Sequence, residues 1–168
     1  MAGDVITQWN DTYLDVIRTT GGALCPISRD GPMMNLAMYD AVNSIDVVMN
    51  PSSYYTPYQQ NLPTPTAGAS REAAAAAAAY RVMTQLHATS PSSLALINSR
   101  YTSQLAAIPD GPAKTAGLSF GTDVANRLLT QRQNDGYDGD ASYTPGGHAG
   151  DWRVTPDGPN VQPFTPHW

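Results

Sequence analysis

The chain has little charge, almost no lysine and one cysteine. Only 14% of its 168 residues are charged, where a free-standing domain usually carries about 25%, so part of the surface is expected to be buried against a partner. Basic residues number 9 against 14 acidic, a formal charge of −5. That balance lacks the basic patch that nucleic-acid binding needs, and nucleic acid is excluded as a partner. Cys25 is alone, which excludes an internal disulfide, and no Cys/His spacing suggests zinc. It is expected in a loop beside Pro26, as a small packing residue. A reactive thiol would want cationic neighbours, and only Arg18 and Arg29 are near. The longest apolar run, Ala73 to Ala79, lies between Arg71-Glu72 and Arg81 and is too short to cross a bilayer, so no membrane partner is expected. No basic segment followed by an apolar run opens the chain, so no signal peptide is expected. Alternating strand patterns and internal repeats are missing too.

What is present is helical periodicity. Val5, Trp9, Tyr13, Val16 and Ile17 place a first helix over Asp4 to Thr19, stopped by Gly21-Gly22. A loop through Cys25-Pro26 leads to a second helix over Asp30 to Asp46, with Pro32 fitting its first turn. That helix is apolar nearly all round, so it is expected to be buried on several sides, with Asp40 and Asn43 needing hydrogen-bond partners there. Asn50 to Gly68 is a long Pro/Tyr-rich loop, which Tyr54, Tyr55 and Tyr58 are expected to anchor by burying their rings. Ser70 caps a third helix running to about Thr89, built on seven consecutive alanines. A fourth runs from Ser92-Ser93 to Pro109 with Leu94, Ile97, Tyr101, Leu105 and Ile108 on one face. A fifth runs from Gly111 to Asp135, with Pro112 in its first turn and Gly136 as its stop. Gly117 and Gly121 in that helix would let a neighbouring backbone approach closely. Gly136 to Trp168 has no period and reads as an extended Pro/Gly-rich arm. The fold class is therefore all-α, a bundle of about five helices over residues 1–135, with a connecting arm over 136–168.

The segment Leu36-Ala37-Met38-Tyr39-Asp40-Ala41-Val42-Asn43-Ser44-Ile45-Asp46 resembles the early helix of bacterial vanadium-dependent haloperoxidases, members of the type-2 phosphatidic acid phosphatase superfamily. Trp9-Asn10 with Leu14-Asp15 resembles the family's opening helix, and Glu72 to Tyr80 with Arg81-Val82 its Ala-rich helix. Ala106 to Lys114, then Tyr143-Thr144-Pro145-Gly146 and Trp152-Arg153-Val154-Thr155-Pro156, follow in the family's order. The resemblance covers nearly the whole chain, but only what looks like the front half of the family's chain. It implies a helical protein, often exported, whose intact form oxidises halide with peroxide on a bound vanadate. In the family that anion is held by a Lys, an Arg-Pro, a Pro-Ser-Gly-His segment and a Ser-Arg followed by a ligand His. Several charge-assisted hydrogen bonds hold the anion, and a second His works as acid and base.

None of that set maps onto this chain, so no catalytic, cofactor-binding or metal residue is assigned. Lys114 is not followed by Arg-Pro, and the pairs Ser28-Arg29, Ser70-Arg71 and Ser99-Arg100 lack the His. Pro145-Gly146-Gly147-His148 resembles Pro-Ser-Gly-His with the Ser replaced, but its neighbours Tyr143 and Trp152 match the family's variable connecting loop. A solvated loop His is expected at His148. His87, in the last turn of a helix, is expected to suit the dipole as a partly positive imidazole, and His167 carries no reading. Asp135, Asp138 and Asp140 form an acidic turn without the EF-hand spacing; a solvated turn is favoured over weak calcium binding. Asp40 either bonds the Asn50 to Gly68 loop, the preferred role, or orients an Arg across an interface. Trp9, Trp152 and Trp168 are expected as packing anchors.

The reading is thus the N-terminal helical part of a vanadium-dependent haloperoxidase-like protein. It is inactive alone and partnered by a missing C-terminal catalytic half or by a second copy. A self-contained helical module for binding or self-association, without catalysis, is the alternative. Part of an acid phosphatase-like enzyme is a weaker one. The ending inside Pro163-Phe164-Thr165-Pro166-His167-Trp168 favours a fragment.

Overall fold

Asp4 starts the first helix, its carboxylate accepting the Thr7 N–H at 2.8 Å, and Gly21 at φ 65° ends it. The computed structural model describes residues 4–22, 24–53, 55–140 and 142–154. Among them are five α-helices: α1 Val5–Thr20, α2 Leu24–Met49, α3 Arg71–Leu86, α4 Pro91–Ala107 and α5 Pro112–Gln131. A 3-10 turn, Pro51–Ser53, opens the long loop, and no strand occurs among the described residues. The protein is all-α, as its periodicity implies. The chain forms two compact units, residues 1–133 with all five helices and residues 134–168.

Helix α2 begins at Leu24, earlier than the expected Asp30, so Cys25 and Pro26 lie in its first turn and not in a loop. Pro32 is therefore inside the helix, on an exposed position, and removes one backbone hydrogen bond. The buried stripe explains why the helix persists across it. Arg29, Met33, Ala37, Asp40 and Ile45 are all buried at helical spacing, so the packed face continues N-terminally past the proline. The expected burial on several sides is present, since α2 packs on α1, α3 and α5.

Helix α3 lies in the middle of the bundle. Ala73 to Ala79 are each at most 1% exposed, covered by α1, α2, α4 and α5. A seven-alanine helix is thin enough to be packed from several sides by one chain's own elements, so this chain leaves no open alanine face to recruit a partner. Tyr80 stacks on Tyr101 of α4 with ring centroids 3.9 Å apart. At its start the Ser70 hydroxyl accepts the Ala73 N–H at 3.1 Å. Ser70→Ala should cost about 1 kcal/mol, read as a lower urea midpoint at unchanged slope; an unchanged midpoint would assign the start of α3 to packing alone.

Helix α5 stops at Gln131, short of the expected Asp135. Beyond Leu129 the chain reads Thr130, Gln131, Arg132, Gln133 and Asn134, with no large apolar side chain to bury, and the last turn is closed by the Arg132 N–H on the Leu128 carbonyl. Helix α4 ends at Ala107, where Ile108 turns extended before Pro109. The described residues of 134–168 form turns, with neither helix nor strand. They are less extended than expected: Trp152 sits edge-on to Tyr143 at 6.1 Å, so the segment between them doubles back.

Candidate functional site

The residues of Leu36–Asp46 organise the polar face of α2. The Asp40 side chain is fully buried. Its Oδ1 accepts the Tyr58 N–H at 2.7 Å, and its Oδ2 accepts both the Gln59 N–H at 3.0 Å and the Gln59 side-chain amide at 3.1 Å. Gln59 also donates to the Val124 carbonyl of α5 at 3.3 Å. One turn on, Asn43 donates to the Tyr55 carbonyl at 2.7 Å and accepts the Tyr55 N–H. Tyr39 donates its hydroxyl to the Thr56 carbonyl, and Asp46 pairs with Arg71 at the start of α3. Asp40 and Asn43 thus find their partners in the loop, the preferred reading of Asp40. The tyrosine anchors do not hold: Tyr55 and Tyr58 are exposed, because the loop is gripped by its backbone and their rings point outward. Gln59, Pro65 and Ala69 are the buried loop residues. Tyr54 lies outside the described residues. Beside this clasp, Ile6, Met38, Tyr39, Val42 and Tyr55 line a mostly apolar groove of 390 Å³.

A second constellation joins the start of α2 to the ends of α3 and α5. Arg29 is buried, donates to the Arg132 carbonyl at 3.0 Å and lies 4.0 Å from the Asp30 carboxylate. The other Asp30 oxygen faces His87 Nε2 at 3.9 Å, and that nitrogen has no hydrogen-bond partner. Burial pushes the Asp30 carboxyl up to about 6, against the pull of Arg29. Burial also pulls the His87 imidazole below its ordinary range, which corrects the expected partly positive imidazole. His87 serves the helix end with its backbone, its N–H donating to the Met83 carbonyl. Tyr13 of α1 donates its hydroxyl to the Ile27 carbonyl, and burial plus the Asp30 charge push its phenol up.

The three Ser-Arg pairs serve three different joints. Ser28 bonds the Cys25 carbonyl while Arg29 reaches α5; Ser70 caps α3 while Arg71 reaches α2; Arg100 donates to Thr12 of α1 at 2.7 Å. Lys114 donates to the Leu105 and Ile108 carbonyls at 2.6 and 3.1 Å and to Asp110, closing the C-terminal end of α4. Pro145 to His148 is a turn stapled by Asp151, whose carboxylate accepts the His148 N–H at 2.6 Å. A Cβ on Gly146 would stand 2.7 Å from Asp151 Cγ, so a Ser there would require the Asp151 carboxylate to move. The imidazole of His148 is exposed. Asp140 bonds Ser142, and Asp135 accepts the Tyr137 N–H, as solvated turns do. Among the described residues no three His, Cys, Asp or Glu side chains gather as a metal site. Trp9 is a fully buried anchor, Trp152 sits edge-on to Tyr143, and His167 and Trp168 lie outside the described residues.

Fold and site together define an all-α bundle whose second helix clasps a long loop. No family model, curated protein or solved structure matches the chain. No helix among the described residues is long and apolar enough to cross a membrane. Arg29, Arg71, Arg100 and Lys114 are committed to four separate contacts.

Proposed function

We propose that this chain is the N-terminal helical part of a protein similar to the bacterial vanadium-dependent haloperoxidases, supplying scaffold and no catalytic group. The observation that carries the reading is the job done by the most family-like stretch. Tyr39, Asp40, Asn43 and Asp46 each hold the 50–68 loop or the start of α3 in place, which is a scaffold's work. The halide-oxidising groups belong, on this reading, to a C-terminal half that docks on the bundle. Two measurements test it. Calorimetric titration of the chain with vanadate should show no saturable binding, and peroxide with bromide or chloride should give no turnover. Micromolar binding, or turnover lost in His148→Ala, would overturn the scaffold role. Coding sequence beyond the Trp168 codon should continue in frame with Arg-Pro and Ser-Gly-His.

A self-contained module is the second reading, favoured by the closed alanine core of α3. It gains if the coding sequence stops at Trp168 and if sedimentation finds a stable monomer at high concentration.

A further inference from the structure

We propose that Asp30 and His87 form a one-proton latch between the start of α2 and the end of α3. The geometry carries it. Both side chains are largely shielded, 14% and 17% exposed, and they face each other across 3.9 Å, too far for a hydrogen bond. Nothing else bonds His87 Nε2. A neutral imidazole facing a carboxylate keeps this gap when its unprotonated nitrogen points at the oxygen. One proton placed between them makes a charge-assisted hydrogen bond, whose ordinary length of about 2.7–2.9 Å would draw the two helices together by about 1 Å.

The surroundings favour one proton and disfavour both other states. With none, Asp30 is an anion in a shielded corner, with Arg29 4.0 Å away as its cation. With two, an imidazolium lies beside Arg29 with no carboxylate to balance it. The groups around the pair are Tyr13 from α1, Arg29 on α2 and, at the end of α5, the Arg132 carbonyl, which takes one Arg29 N–H. Helix α4 enters through Ser90, uncharged, whose N–H donates to the His87 carbonyl at 2.9 Å. The directions of titration agree: burial raises Asp30 to about 6 and lowers His87, so the two bring their affinities for a proton together. The proton then belongs to the pair. The latch is open in mild alkali and closes as pH falls.

Nuclear magnetic resonance titration of the whole chain tests this. The Asp30 carboxyl carbon and the His87 ring carbons should titrate together, with one shared midpoint. In Asp30→Asn the His87 midpoint should fall by about one unit or more, the effect of losing an opposite charge at this range. Separate midpoints for Asp30 and His87 in the unaltered chain would overturn the latch. So would a His87 midpoint indifferent to Asp30→Asn. If that variant fails to fold, the shared midpoint of the unaltered chain still decides.

Discussion

Gly121→Ala should destabilise the bundle by about 3 kcal/mol or more, or prevent folding outright. A Cβ at residue 121 would overlap the Ala74 carbonyl oxygen and stand 2.8 Å from the Ala74 carbon and 2.9 Å from its Cα. All three are α3 backbone, which cannot rotate away as a side-chain end would. Two effects compete. Alanine in place of a mid-helix glycine gains about 0.5–1 kcal/mol of helix propensity. Overpacking a closed interface costs about 1–3 kcal/mol and occasionally more. The second wins, because α3 is packed by four other helices and has nowhere to shift. Gly117→Ala should cost less, since its obstacle lies at Ser70, at the very start of α3, where the chain can still adjust. Urea unfolding of the two variants would measure this. A Gly121→Ala protein as stable as the parent would mean that α3 and α5 separate freely.

The sequence carried the two glycines, the alanine helix, and the cap at Ser70, because each acts through spacing or local chemistry. The need of Asp40 and Asn43 for partners was legible for the same reason: two polar residues interrupt an apolar helix. Three features were not. The early start of α2 was masked by Pro32, since a proline reads as a helix beginning. The buried position of Arg29, four before Met33, outweighs the one lost hydrogen bond. The tyrosines of the loop were misread because periodicity says nothing about a segment held by its backbone. The Asp30–His87 corner was invisible because its members come from two helix ends far apart in sequence. Only placing Arg29 on the same stripe as Met33 and Ala37 would have shown charge entering the core.

Asp40→Ala should free the long loop and cost about 3 kcal/mol. The carboxylate accepts three N–H donors, two of them backbone, and the Gln59 amide among them is buried. Leaving one buried donor unsatisfied costs about 1–3 kcal/mol, and making a typical hydrogen bond gains only about 1. The loss is therefore dominated by orphaned donors, more than by the missing attraction. Asp40→Asn keeps the volume and one acceptor oxygen but turns an N–H toward donors, so it should be intermediate in cost. The consequence should be local first. Asn43 and Tyr39 still hold Tyr55 and Thr56, while Tyr58 and Gln59 lose the carboxylate that fixes their backbone, so limited proteolysis should cut there before any helix opens. Hydrogen exchange at the Tyr58 and Gln59 amides should quicken by more than tenfold, at about 1.4 kcal/mol for each factor of ten. Unchanged exchange at those two amides would sink the clasp and return the loop to the tyrosine rings. Slowed exchange at the neighbouring Tyr55 amide would point instead to a rearranged loop gripped by Asn43 alone.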